Sequence, residues 1–188
     1  MSYYSIERFN NWIERIRGSH IDFNDPESLV VFDRMMEDLV VACLNVIKAV
    51  RSRELTKREA IKEFEEMEKI VMSDVGFEDP VKKEFFELIR EGLKTIVYSA
   101  RYCVEGKLSK KSFENLIKDA IKKEGKGDLK GAFDTVARLG AKVFRGERLP
   151  KDVFAPENSI VLNWLDGVDI INTVMLLMEI DSSEEQQK

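Results

Sequence analysis

Histidine is almost missing from this chain: among 188 residues the only one is His20. Cysteine is nearly as scarce, with Cys43 and Cys103 each set inside an apolar stretch. No metal-type spacing of Cys and His exists, so zinc and other soft-metal chemistry finds no support. Cysteine in such stretches behaves as a small hydrophobe. The sequence therefore predicts two reduced, buried thiols in a reducing, cytoplasmic compartment. The 4 Pro and 10 Gly are few for a turn-rich all-β chain. Glutamine is confined to Gln186 and Gln187 while Lys and Glu abound, a bias found in thermophile proteins. No basic-then-apolar leader follows Met1, so no signal peptide is expected. The apolar region Leu29–Val50 carries Asp33, Arg34, Glu37 and Asp38, which a membrane span would not tolerate. A soluble protein without a membrane partner is the expectation.

What is present favours helix. The chain is 44% hydrophobic and 35% charged, a globular balance rich in Lys, Glu, Leu, Ile and Ala. Ser5 is placed to cap a first helix to about Arg17, with Tyr4 and Phe9 spaced as a hydrophobic staple. Asp25-Pro26 is a cap followed by a first-turn proline, opening a second helix to about Arg51. Its middle, Leu39–Leu44, is apolar on all sides, which predicts a central buried element. Thr56 with Glu59 forms a capping box for a third helix. Asp79-Pro80 then opens a fourth helix to about Val104, and a fifth follows the Leu108-Ser109-Lys110 turn. Asp128 caps a sixth helix to about Phe144, and a last helix spans roughly Glu157 to Met178. Asp166-Gly167 could instead be a hairpin turn, but Ile160, Trp164, Val168, Ile171, Met175 and Met178 keep helical spacing.

The two Asp-Pro pairs lie 54 residues apart and the leucines of Leu55-Thr56-Lys57 and Leu108-Ser109-Lys110 lie 53 apart. Leu149-Pro150-Lys151 echoes the same turn. A true internal repeat and the ordinary recurrence of caps and turns both account for this. The predicted fold is all-α: an N-terminal helix plus three helical hairpins, about seven helices, in a compact bundle or array. Residues 1–180 read as a single all-helical domain and residues 181–188 as a polar disordered tail.

Four segments, taken in order and spacing, carry a resemblance. They are Met36–Leu44, Ile70–Ser73, Ala132–Arg138 and Trp164–Asp169. Together they resemble an archaeal family of uncharacterised proteins, domain of unknown function 2150, over nearly the whole chain. The resemblance implies an archaeal cytosolic protein. It implies no activity, and no functional residue follows from it.

Chemistry must therefore come from the residues. Asp166 and Asp169 share a helix face with Asn163 a turn earlier, and Glu59, Glu63 and Glu66 share a face of the third helix. Carboxylates so spaced can hold Mg²⁺, and paired acidic motifs on two helices resemble all-α nucleotide pyrophosphohydrolases. A solvated acidic face is the simpler reading. His20 falls in a loop with no partner motif, and Gly125-Lys126-Gly127 lacks the spacing of a phosphate-cradling loop. No cofactor is expected.

Charge is unevenly distributed. The chain has 30 Lys or Arg against 35 Asp or Glu, yet residues 106–151 hold 13 and 6, leaving 17 and 29 elsewhere. Arg138, Lys142 and Arg145 fall on one face of the sixth helix, opposite Phe133, Val136, Ala137, Gly140 and Phe144. That strip suits an anionic partner, or pairs with the acidic remainder of the chain. Gly140 and Gly167 inside helices point to close helix crossings. Trp164, Met175 and Met178 read as core or as a surface for self-association. Three functions stay open: a cytosolic interaction or scaffold protein with an unknown protein partner, an RNA- or ribonucleoprotein-associated module, and a metal-dependent enzyme.

Overall fold

The computed structural model describes residues 2–152 and 154–185. Seven helices account for its regular structure: α1 (Ile6–Gly18), α2 (Pro26–Arg51), α3 (Lys57–Val71), α4 (Pro80–Glu105), α5 (Phe113–Gly125), α6 (Leu129–Phe144) and α7 (Ile160–Glu185). No strand occurs among the described residues.

The helix starts follow the expected chemistry. Ser5, Asp25, Asp79 and Asp128 each accept a backbone N–H of the first turn, and Thr56 with Glu59 completes both halves of a capping box. One start differs. The cap of α5 is Ser112, whose Oγ accepts from Asn115 N at 3.3 Å, while Ser109 stays in the connecting turn. The echo between hairpins lies instead in the backbone: Arg53, Gly106 and Gly146 all have positive φ just after α2, α4 and α6.

The end of the chain also differs. α7 runs through Asp166-Gly167 without a turn and continues to Glu185, so residues 181–185 are helical rather than a tail. Residues 186–188 of the expected tail lie outside the described residues. The start of α7 is held from another element: Glu124 of α5 accepts the Ile160 N–H at 2.8 Å and the Ser159 hydroxyl.

Packing departs from simple hairpins. α4 and α6 form the hub: α4 touches α6, α7, α2 and α3, and α6 also receives α5 and α7. α5 thus leaves its chain neighbour α4 and rests chiefly on α6. α1 docks on α2 through Arg8, which donates to both Asp38 oxygens at 2.6 and 2.8 Å, and Trp12, whose Nε1 donates to Asp38 at 2.9 Å.

The buried middle of α2 is as expected, with Val40, Leu44 and Ile47 in the core. α6 is nevertheless the more enclosed helix, with ten of 16 residues buried against eleven of 26 in α2. Cys43 and Cys103 are free and buried, and the Cys43 Sγ lies 3.8 Å from Met67 Sδ. α7, rather than Leu29–Val50, is long and apolar enough over Ile160–Glu179 to cross a membrane. In this fold, though, Val161, Trp164, Leu165, Val168, Ile171 and Val174 of α7 belong to the shared core.

Glycine sets the closest crossings. A Cβ on Gly140 of α6 would stand 2.7 Å from the Cβ of Ser99 on α4. A Cβ on Gly167 of α7 would stand 2.6 Å from the Gly92 carbonyl oxygen and 3.0 Å from its Cα. The reverse contact is softer, since a Cβ on Gly92 meets the flexible Met36 thioether at 3.1 Å. The pair should respond asymmetrically. Gly167→Ala is expected to destabilise by about 1–3 kcal/mol in denaturant titration, because backbone must separate. Gly92→Ala should be near neutral, its gain in helix propensity of about 1 kcal/mol offsetting the displaced thioether.

Candidate functional site

The expected basic strip does not survive as a strip. Lys142 is 6% exposed. Its Nζ donates to the Lys111 carbonyl at 2.8 Å and the Ser109 carbonyl at 3.4 Å, pairs with Glu147 at 3.2 Å, and lies over the Phe113 ring. The correction has a tertiary cause: the turn before α5 folds over this face of α6 and presents carbonyls that accept from the Lys142 ammonium. Arg138 is half-buried, donating to Asp134 at 2.8 Å and covering Tyr102. Arg145 alone is exposed, at the end of α6 beside Cys103 and Arg51.

The acidic residues are not brought together as a metal centre. Glu59 is committed to its capping box, Glu66 pairs with Lys69 at 2.5 Å, and Glu63 accepts the Tyr3 N–H at 3.3 Å. Asp166 and Asp169 instead border a cleft of about 390 Å³ with Asp33 of α2 and the apolar Phe32, Phe85 and Ile89. Among the described residues no group of three or more His, Cys, Asp or Glu is arranged to hold a metal ion. Asp166 as a residue is exposed, but burial around its carboxyl, then the charges of Asp169 and Asp33, push it up to about 6. Burial likewise raises Asp33, helped by Glu37. His20 is exposed in the turn after α1.

Across the α4–α7 crossing lies a groove of about 400 Å³ that sequence reasoning missed. Helix α4 supplies Lys94, Tyr98 and Tyr102 at successive four-residue steps, α6 supplies Phe133, and α7 supplies Trp164. The rings interlock edge to face: Tyr98 on Phe133 and Phe133 on Trp164, each with centroids 5.2 Å apart. The carboxylates at the groove are occupied. Glu91 accepts the Trp164 indole N–H at 2.6 Å, and Asp134 accepts from the Tyr102 hydroxyl at 2.7 Å and from Arg138. Burial pushes the Asp134 carboxyl up, but the hydrogen bonds from Arg138 and Tyr102 outweigh it and hold it below the usual range. The Tyr102 hydroxyl is pushed up to about 12 by burial and by Asp134, so it stays a donor at neutral pH.

The cations are less committed. Lys94 stands 4.5 Å over the Phe133 ring, and neither it nor Lys130 forms an ion pair among the described residues. The wall therefore offers half-buried aromatic surface beside positive charge. The signal in the sequence was Lys94-Tyr98-Tyr102, three residues on one helix face. The residues opposite them are known only once α6 and α7 are in place.

Two measurements follow from this geometry. Lys142→Met should lose about 1–3 kcal/mol of stability, since the Ser109 and Lys111 carbonyls are left without their donor. Arg145→Met should stay within about 0.5 kcal/mol in the same denaturant titration. Asp166 carries a pH dependence. A carboxyl raised from 3.8 to about 6 on folding holds its proton more tightly in the folded chain. Stability from this group is then lost as pH climbs through that window and recovered as pH falls. Asp166→Asn should raise the melting temperature at neutral pH and leave it unchanged below the ordinary aspartate range.

No curated protein and no solved structure matches the chain. A family model does match, over residues 2–185, which takes in all seven helices and both clefts. The chain belongs to that family, the uncharacterized proteins conserved in archaea known as domain of unknown function 2150.

Proposed function

We propose that this protein is a non-catalytic cytosolic interaction protein that receives an anionic partner in the groove between α4, α6 and α7. One observation carries the reading: half-buried rings of Tyr98, Tyr102 and Phe133 sit beside Lys94 and Lys130, while the nearby carboxylates are occupied. Aromatic surface gives contact area at low entropy cost, and uncommitted lysines select a partner of negative charge. Exposed Leu129 extends the apolar wall at the groove rim. The two free buried thiols are in keeping with a reducing compartment. The thermophile bias in composition accords with an archaeal host.

RNA is the second reading, because rings flanked by cations are the chemistry that stacks bases and tracks a phosphate backbone. An acidic protein surface would use the same lysines and leave the ring faces in apolar contact.

Affinity capture from archaeal lysate separates these outcomes. Lys94→Glu with Lys130→Glu should abolish capture, while circular dichroism and the melting temperature stay close to the wild type. Nuclease treatment that releases the partner assigns it to RNA. So does a log–log salt slope of about −0.7 per phosphate contacted. Nuclease resistance with a shallow slope assigns it to protein. If the doubly substituted chain captures the same partners as the wild type, the groove is not the contact surface.

A further inference from the structure

A further cleft, of about 140 Å³, opens at the end of the bundle where α2, α4 and α6 finish. It shares no lining residue with the aromatic groove. Arg51, Lys57 and Arg145 reach it from three different helix ends, and all three are exposed. Its walls are apolar: Ile47 and Val50 of α2 and Val104 of α4.

Two of these cations have an ordinary explanation and one does not. Arg51 and Arg145 close α2 and α6, where positive charge meets the negative end of the helix dipole. Lys57 is the first residue of α3, where the dipole disfavours a cation. It also lines the same cleft as two arginines. None of the three forms an ion pair among the described residues. Neighbouring acids are engaged elsewhere: Glu54 accepts the Ser52 hydroxyl at 2.8 Å, and Glu59 accepts the Thr56 backbone and side chain. The thiol at the cleft, Cys103, supplies no counter-charge. Burial raises it against the pull of Arg145 and Arg51, so it stays protonated at neutral pH.

We infer that Arg51, Lys57 and Arg145 form a binding site for a phosphate oxyanion, either free phosphate or the terminal phosphate of a larger ligand. Three like charges brought to one cleft repel each other, and an anion turns that repulsion into attraction. The cleft is large enough for one phosphate group, and its open side lets the rest of a larger ligand extend into solvent. Guanidinium and ammonium donors match the oxygens of a phosphate through charge-assisted hydrogen bonds.

Calorimetric titration with inorganic phosphate, in chloride buffer of matched ionic strength, tests the site on the full chain. Wild type should bind saturably. Lys57→Ser and Arg145→Ser should each weaken binding about tenfold or more, the loss expected for one charge-assisted hydrogen bond. Both variants should melt in chloride close to the wild-type temperature, because both residues are exposed; this establishes that they fold. A parallel arm uses a short oligonucleotide with and without a terminal phosphate. Binding of inorganic phosphate identifies a free-phosphate site. Binding of the terminally phosphorylated strand alone identifies a chain-end site, and either result supports the proposal. Phosphate no better than chloride, together with a strand that binds equally with or without its terminal phosphate, overturns it. Binding that persists unchanged in both variants also overturns it.

Discussion

The close approach of α4 to two other helices governs this fold. Gly140 lets α6 rest on Ser99, and Gly167 lets α7 rest on the backbone of Gly92. Both contacts lie on α4, so one helix carries the closest approaches of α6 and α7, which also pack on each other. The groove inherits its geometry from these crossings. Tyr98 adjoins Ser99, Phe133 precedes Gly140 by two turns of α6, and Trp164 precedes Gly167 by one turn of α7. An extra methyl group on Gly140 or Gly167 would shift the rings as well as loosen the core.

The α4–α7 crossing also divides the surface by charge. On one side are Lys94, Lys130 and the aromatic groove; on the other are Asp33, Asp166 and Asp169 around an apolar cleft. The acidic side has no ion pair to its three carboxylates among the described residues, and burial raises Asp166 and Asp33 above the usual aspartate range. Net charge says little about such a molecule, because Lys94 and Lys130 line one cleft and Asp33, Asp166 and Asp169 another on a chain of net −5.

Local chemistry was legible in the sequence and convergence was not. Capping residues at Ser5, Asp25, Thr56, Asp79 and Asp128 announce helix starts because each satisfies N–H groups within its own turn. The glycines inside α6 and α7 signalled close crossings for the same reason, since their helix cost needs a tertiary return. Lys142 misled, because periodicity places a residue on a face without saying what will cover that face. The turn preceding α5 comes from some thirty residues upstream, and only its carbonyls explain a buried ammonium. The aromatic groove was hidden likewise: its wall is a sum of three helices, none of which looks like a site alone.

The cap on α7 has a consequence for how the chain assembles. Glu124, which holds Ser159 and the first amide of α7, belongs to α5 and depends on α5 being seated against α6. During synthesis α5 and α6 leave the ribosome before α7 is complete. The nascent chain then carries a finished anchor waiting for a helix, with the Gly92 crossing still uncovered. Val161, Trp164, Val168 and Ile171 of α7 find cover only once the helix docks on α4, α6 and α2, so the interval before docking is when this apolar face is open to aggregation.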